Sequence, residues 1–257
     1  MPNEFVDLNL RNIRIWFLLA FQAGAVNAGG FLACNRFVTH TTGFATHFAV
    51  ELATHHEGAA LGMLSVPFFF LLGSMTTAYF VELRLLHGRS ANYTAPTFLV
   101  FLCLALALFL GRLGLFGLFK QEMTLRDDYF LLVLLSLASG LQNALITNSQ
   151  GVVVRTTHLT GMTTDLAVGL VRTLFGEKEV NPTRLERDRR ATLARAGIIG
   201  SFIFGSTVSA YLYLRTQYLG FAVPVFTSLV LLRYFVARTR AKELPRSGGV
   251  VARESPH

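Results

Sequence analysis

Two Thr-Gly steps, Thr42-Gly43 and Thr160-Gly161, each follow a histidine by two residues, His40 and His158. Each opens a short apolar stretch, 41–54 and 159–171. A threonine hydroxyl caps a helix start, and a glycine lets a ligand approach the main chain. The start itself presents unpaired N–H groups and a partial positive charge, which suits an anion or a carboxylate. Thr42, Gly43, Thr160 and Gly161 are therefore the leading substrate-binding residues, with His40 and His158, beside Arg36 and Arg155, adding positive charge. Ordinary capping, with interfacial Arg and His as anchors, is the competing reading.

A polar stripe runs through the first short piece. Gly43, His47, Glu51 and His55 recur every fourth residue and so share one helix face. The second copy places Gly161, Asp165, Gly169 and Thr173 there, so His47 matches Asp165. Ionisable groups at membrane depth face a cavity or a partner, and a His with a carboxylate can relay protons. His47, Asp165 and Glu51 are thus the expected proton-coupling residues; the alternative leaves Glu51 and His55 solvated at headgroup level. A zinc site from His47, Glu51, His55 and His56 is the weaker option, since the spacing is not that of H-E-x-x-H. No metal and no cofactor is expected. No phosphate loop, serine elbow or Cys/His nucleophile pair is present, so the chain does not read as an enzyme. Asn27 and Asn143 lie inside long spans, where they either bond across helices or face a solute.

These residues come in pairs because the chain contains itself twice. Residues 24–53 and 140–171 share G-x-x-N-A (Gly24, Asn27, Ala28; Gly140, Asn143, Ala144), then the His and Thr-Gly step, then A-V-x-L. Downstream, GSMTTAY at 73–79 matches GSTVSAY at 205–211, and Pro96 matches Pro224. Gly73 and Thr77, like Gly205 and Ser209, are small residues four apart, which is a helix contact face rather than a site. The two prolines are expected in the first turns of their helices.

Composition fixes the surroundings. Of 257 residues, 52% are hydrophobic and 15% charged, below the usual quarter for soluble domains. Uncharged runs lie at about 15–34, 58–81, 96–111, 129–150, 196–214 and 219–232, each near the ~20 residues that cross a bilayer. The net charge of +8 belongs to connections: seven Lys and Arg fall between Arg172 and Arg195, and six between Arg233 and Arg253. Positive residues collect on the cytoplasmic side, so nucleic-acid binding is not inferred and the partners are membrane lipid and a small solute. Cys34 and Cys103 lie in or beside apolar runs and form no disulfide framework.

The expected fold is an all-α polytopic helical membrane protein with six transmembrane helices plus two short half-helices. A piece of roughly 14 residues reaches only about 21 Å, too short to cross. Three crossings per repeat make the two repeats inverted. The expected segments are a cytoplasmic N-terminal stretch 1–14, a first repeat 15–119, a second repeat 129–237 and a disordered basic tail 238–257. Both termini are cytoplasmic, in the inner (plasma) membrane.

The G-x-x-N-A element, Phe37, Val38, Thr42 and Gly43, and the second Gln142, Asn143, Ala144, Thr156, Thr157, Leu159, Thr160 and Gly161 together resemble the YoaK-like family of bacterial membrane proteins. The resemblance covers about residues 15–237 and implies a six-span domain of unknown function, with no substrate. In the family's form the position of Asn27 is usually Asp, and Thr-Gly is followed by Asn where this chain has Phe44. Where that Asp carries protons or cations, this chain has lost the charge. The expected function is a secondary transporter or permease of a small anionic or zwitterionic solute, with the ligand between the two Thr-Gly starts. A non-transporting scaffold or regulator and a membrane-embedded metal protein are the rivals.

Overall fold

The computed structural model describes residues 9–55, 57–119, 127–145, 159–175 and 182–243, and among them the chain is helical with no strand. The helices are α1 (Leu10–Cys34), α2 (Thr41–Ala53), α3 (Glu57–Phe80), α4 (Glu82–Leu86), α5 (Thr94–Arg112), α6 (Asp127–Asn143), α7 (Leu159–Phe175), α8 (Pro182–Thr216) and α9 (Ala222–Glu243). By length and composition, four helical runs can cross a membrane: Leu10–Cys34, Gly62–Leu86, Thr94–Arg112 and Leu185–Ala241. The last holds 57 residues, about 85 Å as one straight helix and far more than one bilayer. It is broken by a 3-10 turn, Gln217–Phe221, entered through Gln217 at φ 50°. Both α8 and α9 then pack on α1, so the run doubles back.

Local chemistry explains the element ends. The side chain of Asn9 accepts from the Asn12 N–H at 2.8 Å and caps α1. Asn35, in the left-handed region at φ 51°, stops it. Pro96 and Pro224 both fall in the first turns of their helices, α5 and α9. Two boundaries differ from expectation. The basic stretch 182–195 is not a loop but the first part of α8, opened by Pro182 where its missing N–H costs nothing. Arg, Glu, Leu and Ala favour helix there, and Glu186 pairs with Arg190 one turn on at 2.9 Å. At the other end α9 continues to Glu243, past the expected boundary at 237; residues 1–8 and the rest of the tail lie outside the described residues.

The packing follows the duplication. α6, α7, α8 and α9 are the repeat counterparts of α1, α2, α3 and α5. α1 packs on α8, and its counterpart α6 packs on α3, the counterpart of α8. α2 lies on α3 as α7 lies on α8, α9 on α1 as α5 on α6, while α1 meets α6 and α5 meets α9. Each helix pairing thus recurs with the halves exchanged.

Glycines set the closest of these contacts. A methyl on Gly24 would strike the Phe202 carbonyl oxygen, and one on Gly205 the Phe21 carbonyl. In the other half, Gly140 abuts the Phe70 carbonyl and Gly73 the Leu137 carbonyl. Cβ atoms tilt toward the helix N-terminus. A glycine that meets the residue one turn before its partner glycine therefore belongs to a parallel pair, α1 with α8 and α3 with α6. Hydroxyls close the same seams. Ser206 Oγ donates to the Gly24 carbonyl at 3.0 Å and Ser74 Oγ to the Gly140 carbonyl at 3.1 Å, with Thr77 Oγ1 to Leu141 O at 2.8 Å. Small residues plus hydroxyl glue are what holds helices together where lipid is as apolar as leucine.

These seams give a direct stability expectation. Gly24→Ala or Gly140→Ala pushes two backbones apart, and overpacking of this kind costs about 1–3 kcal/mol. Gly200→Ala, which meets nothing within 4 Å, should be neutral or gain up to about 1 kcal/mol of helix propensity. Melting of the three purified variants in detergent checks the ordering; equal melting of all three removes the close-contact account.

Candidate functional site

A group of buried polar side chains lies where α1 crosses α6. The N-terminal half of α1 (Ile15, Trp16, Leu19) clusters with Leu145 after the end of α6, while its C-terminal half (Val26, Ala33, Cys34) clusters with Leu131, Leu132 and Leu135. The two helices therefore run antiparallel. Gln142 Nε2 donates to the Leu19 carbonyl at 2.6 Å. One turn further along each helix, the antiparallel run brings Gln22 level with Ser139. From α9, Thr227 Oγ1 donates to Gln22 Oε1 at 3.0 Å.

Gln22 Nε2, Ser136 Oγ (one turn before Gly140 on α6) and Ser139 Oγ have no hydrogen-bond partner among the described residues. Their residues are 1%, 0% and 3% exposed. A buried donor left unsatisfied costs about 1–3 kcal/mol, and in hydrocarbon no water relieves it. No Asp, Glu, Lys or Arg occurs in 15–34 or 129–145, so the crossing offers amide and hydroxyl groups to an uncharged or internally balanced polar ligand. The sequence reading passed over Gln22, Ser136, Ser139 and Thr227. The available signal was a single Gln among the uncharged residues of α1, and Ser136, Ser139 and Gln142 spaced three apart on α6.

The Thr-Gly starts flank this crossing. Thr39 Oγ1 donates to Asn27 Oδ1 at 2.9 Å, tying the approach to α2 to the level of Asn27, on the C-terminal side of the crossing. Phe44 seats α2 in the cluster around the C-terminal half of α1, whereas Met162 seats α7 in the cluster around the N-terminal half. The two starts thus stand on opposite sides of Gln22. Gly43 N–H donates to the His40 carbonyl at 3.1 Å, and a methyl on Gly43 would lie 3.1 Å from His40 Nδ1. His40 precedes α2 without making a side-chain cap bond. Thr160 and Gly161 are exposed, and Gly161 faces open space. Asn143 is half-buried and hydrogen-bonded or otherwise engaged. Thr42 lies in α2, with its side chain outside the described residues, as are His158 and Arg155.

The ionisable stripe is arranged less as expected. α2 docks through Phe44 and Phe48, which turns Glu51 half inward and leaves His47 and His55 exposed. Arg36 and Glu51 both lie within electrostatic reach of the Tyr129 hydroxyl at the start of α6. Asp165 is exposed on α7, which packs on α8, while α2 packs on α3. His47 and Asp165 are thus not brought into an ion pair. Among the described residues no three His, Cys, Asp or Glu side chains group as metal ligands, and His56 lies outside them.

A family model described as "Protein of unknown function (DUF1275)" matches residues 15–234. Neither a curated protein nor a solved structure matches the chain.

The two glycines of α7 should behave oppositely. Gly161→Ala fills open space and should leave the melting temperature unchanged or raised, by up to about 1 kcal/mol in helix propensity. Gly169→Ala meets the Thr192 hydroxyl of α8 and should cost about 1–3 kcal/mol through overpacking. Melting curves that fall equally for both would mean that Gly161 needs its missing side chain for the fold.

Proposed function

The chain belongs to the DUF1275 family, and we propose that this member is a secondary transporter of a small polar solute, with six crossings and two half-helices arranged as two inverted repeats. Residues 15–119 and 129–237 form the repeats, with both termini on the cytoplasmic face of a bacterial plasma membrane, as in the YoaK-like proteins it resembles. The observation that carries the proposal is the pair of buried groups without a partner among the described residues, Gln22 Nε2 and Ser139 Oγ, at the crossing of α1 with its repeat counterpart α6, with Ser136 Oγ in the same state nearby on α6. A scaffold gains nothing from unsatisfied donors inside hydrocarbon. A transporter uses them, because inverted-repeat carriers bind solute near the midplane, at the repeat interface. The antiparallel run of α1 and α6 supports the inversion, and the length of Leu185–Ala241 supports two crossings within it.

In this reading the Thr-Gly starts of α2 and α7 guard the path from opposite sides. The partial positive charge of a helix start favours an anionic or zwitterionic solute, and the amide and hydroxyls of the crossing hold its uncharged part. His47 and Asp165, with Glu51, are proposed for proton coupling on their matched repeat positions. That role requires the two halves to bring them to the path in another state of the cycle.

Topology tests the frame. Single cysteines at residues 90 and 182 should resist a membrane-impermeant thiol reagent in intact cells while one at residue 124 reacts. Labelling at 90 with protection at 124 would overturn the inverted arrangement.

Transport tests the site. A ligand identified by thermal-shift screening over metabolites, since binding to the folded state stabilises it, should be taken up by liposomes holding the purified protein. Gln22→Leu, Gly43→Val and Gly161→Val should purify yet lose uptake and ligand-induced stabilisation. His47→Ala and Asp165→Asn should suppress the pH dependence of uptake and keep binding. Parent-like transport by Gln22→Leu would exclude the crossing, and by both valine variants the Thr-Gly starts.

A further inference from the structure

A crevice of about 430 Å³ opens between the N-terminal turns of α1 and the basic part of α8, lined by Leu10, Ile13, Phe17, Arg190, Leu193 and Ala194. Its origin is visible in the repeat. At the matching place of the other half, Tyr129 stands where Ile13 stands and Gly62 where Ala194 stands, and the Tyr129 ring is packed directly on Gly62. The tyrosine plugs that end of the α3–α6 pair. Isoleucine and alanine leave the equivalent end of the α1–α8 pair open.

Its chemistry is two-fold. The wall is aliphatic and aromatic, and Leu10 and Leu193 are 77% and 63% exposed at its rim. The surrounding turns carry Arg11, Arg14, Arg187 and Arg190, all exposed. Because α1 and α8 run parallel, these arginines gather at one level, where the basic residues assign the cytoplasmic headgroup region. Among the described residues Arg190 is held by Glu186, in a pair whose side chains are 66% and 53% exposed. Such a pair contributes little and exchanges readily for a phosphate.

We propose that this crevice is a binding site for one anionic phospholipid, with an acyl chain lying on Ile13, Phe17 and Ala194 and the phosphate at Arg190. Anionic lipid is the occupant because the crevice joins an apolar wall to a cluster of guanidinium groups. A zwitterionic lipid would satisfy the wall and not the charge. The site does not depend on any transported solute.

The test is native mass spectrometry and melting of the purified full chain with phosphatidylglycerol, phosphatidylcholine or inorganic phosphate. Phosphatidylglycerol should bind and stabilise, and the other two should do so much less. Ile13→Tyr with Ala194→Gly copies the plugged half and should abolish that binding. Should the pair fail to fold, Arg190→Gln should weaken phosphatidylglycerol binding about fivefold, the worth of one arginine near an anionic surface, while Arg233→Gln changes it little. Equal stabilisation by both lipids, or undiminished phosphatidylglycerol binding in the plugged or Arg190→Gln protein, overturns the site. Binding that appears only after deletion of residues 2–8 would also overturn it, by making the chain's own N-terminus the occupant.

Discussion

Backbone touches backbone at two places in this protein, and the rest of the architecture is built outward from them. At Gly24 with Gly205, and again at Gly73 with Gly140, the missing Cβ lets a helix rest on the carbonyls of its neighbour. In lipid there is no hydrophobic gain from burying one apolar helix against another, so association depends on dispersion at close range and on interhelical hydrogen bonds. Both are supplied here, the first by glycine and the second by Ser74, Thr77 and Ser206. Each contact joins the first helix of one half to the third helix of the other, so neither half packs as a separate bundle.

That interlocking brings α1 and α6 together. Once α1 is fixed to α8 and α6 to α3, the two opening helices of the repeats meet antiparallel, and their polar residues are enclosed between them. Gln142 bonds the Leu19 carbonyl and Thr227 bonds Gln22, which holds the crossing together. Gln22, Ser136 and Ser139 retain unused hydrogen-bonding capacity. The same contacts that hold the helices together therefore enclose a polar region that bonding within the described residues does not exhaust.

The two halves are not copies in their chemistry. Thr77 reaches the Leu141 carbonyl, whereas its counterpart Ser209 has a buried hydroxyl with no partner among the described residues. Arg36, Glu51 and Tyr129 gather at one end, whereas at the other Ile13 and Ala194 leave a crevice beside Arg190. A fold that repeats its helix contacts thus carries different side chains at its two ends.

The membrane class, the duplication and the contact role of Gly73, Thr77, Gly205 and Ser209 were all legible in the chain itself. Charge segregation and small-residue spacing are local properties that lipid solvation acts on directly. The helix starts at Thr41 and Leu159 fall where the two short apolar pieces begin, although His40, and not a threonine, precedes α2 and makes no side-chain cap bond. Helix from Pro182 was not read, because Arg-rich composition signals a cytoplasmic position as strongly as it permits helix. The partners of each helix were decided only by tertiary structure. The sequence places Gln22 and Ser139 inside apolar runs, but does not show that an exchanged packing of the halves sets them level with each other. The void beside Arg190 likewise exists only because Ile13 and Ala194, brought together by the packing of α1 on α8, leave unfilled what Tyr129 fills over Gly62 in the other half. Hydropathy acts residue by residue, whereas shape complementarity between helices exists only once both are in place.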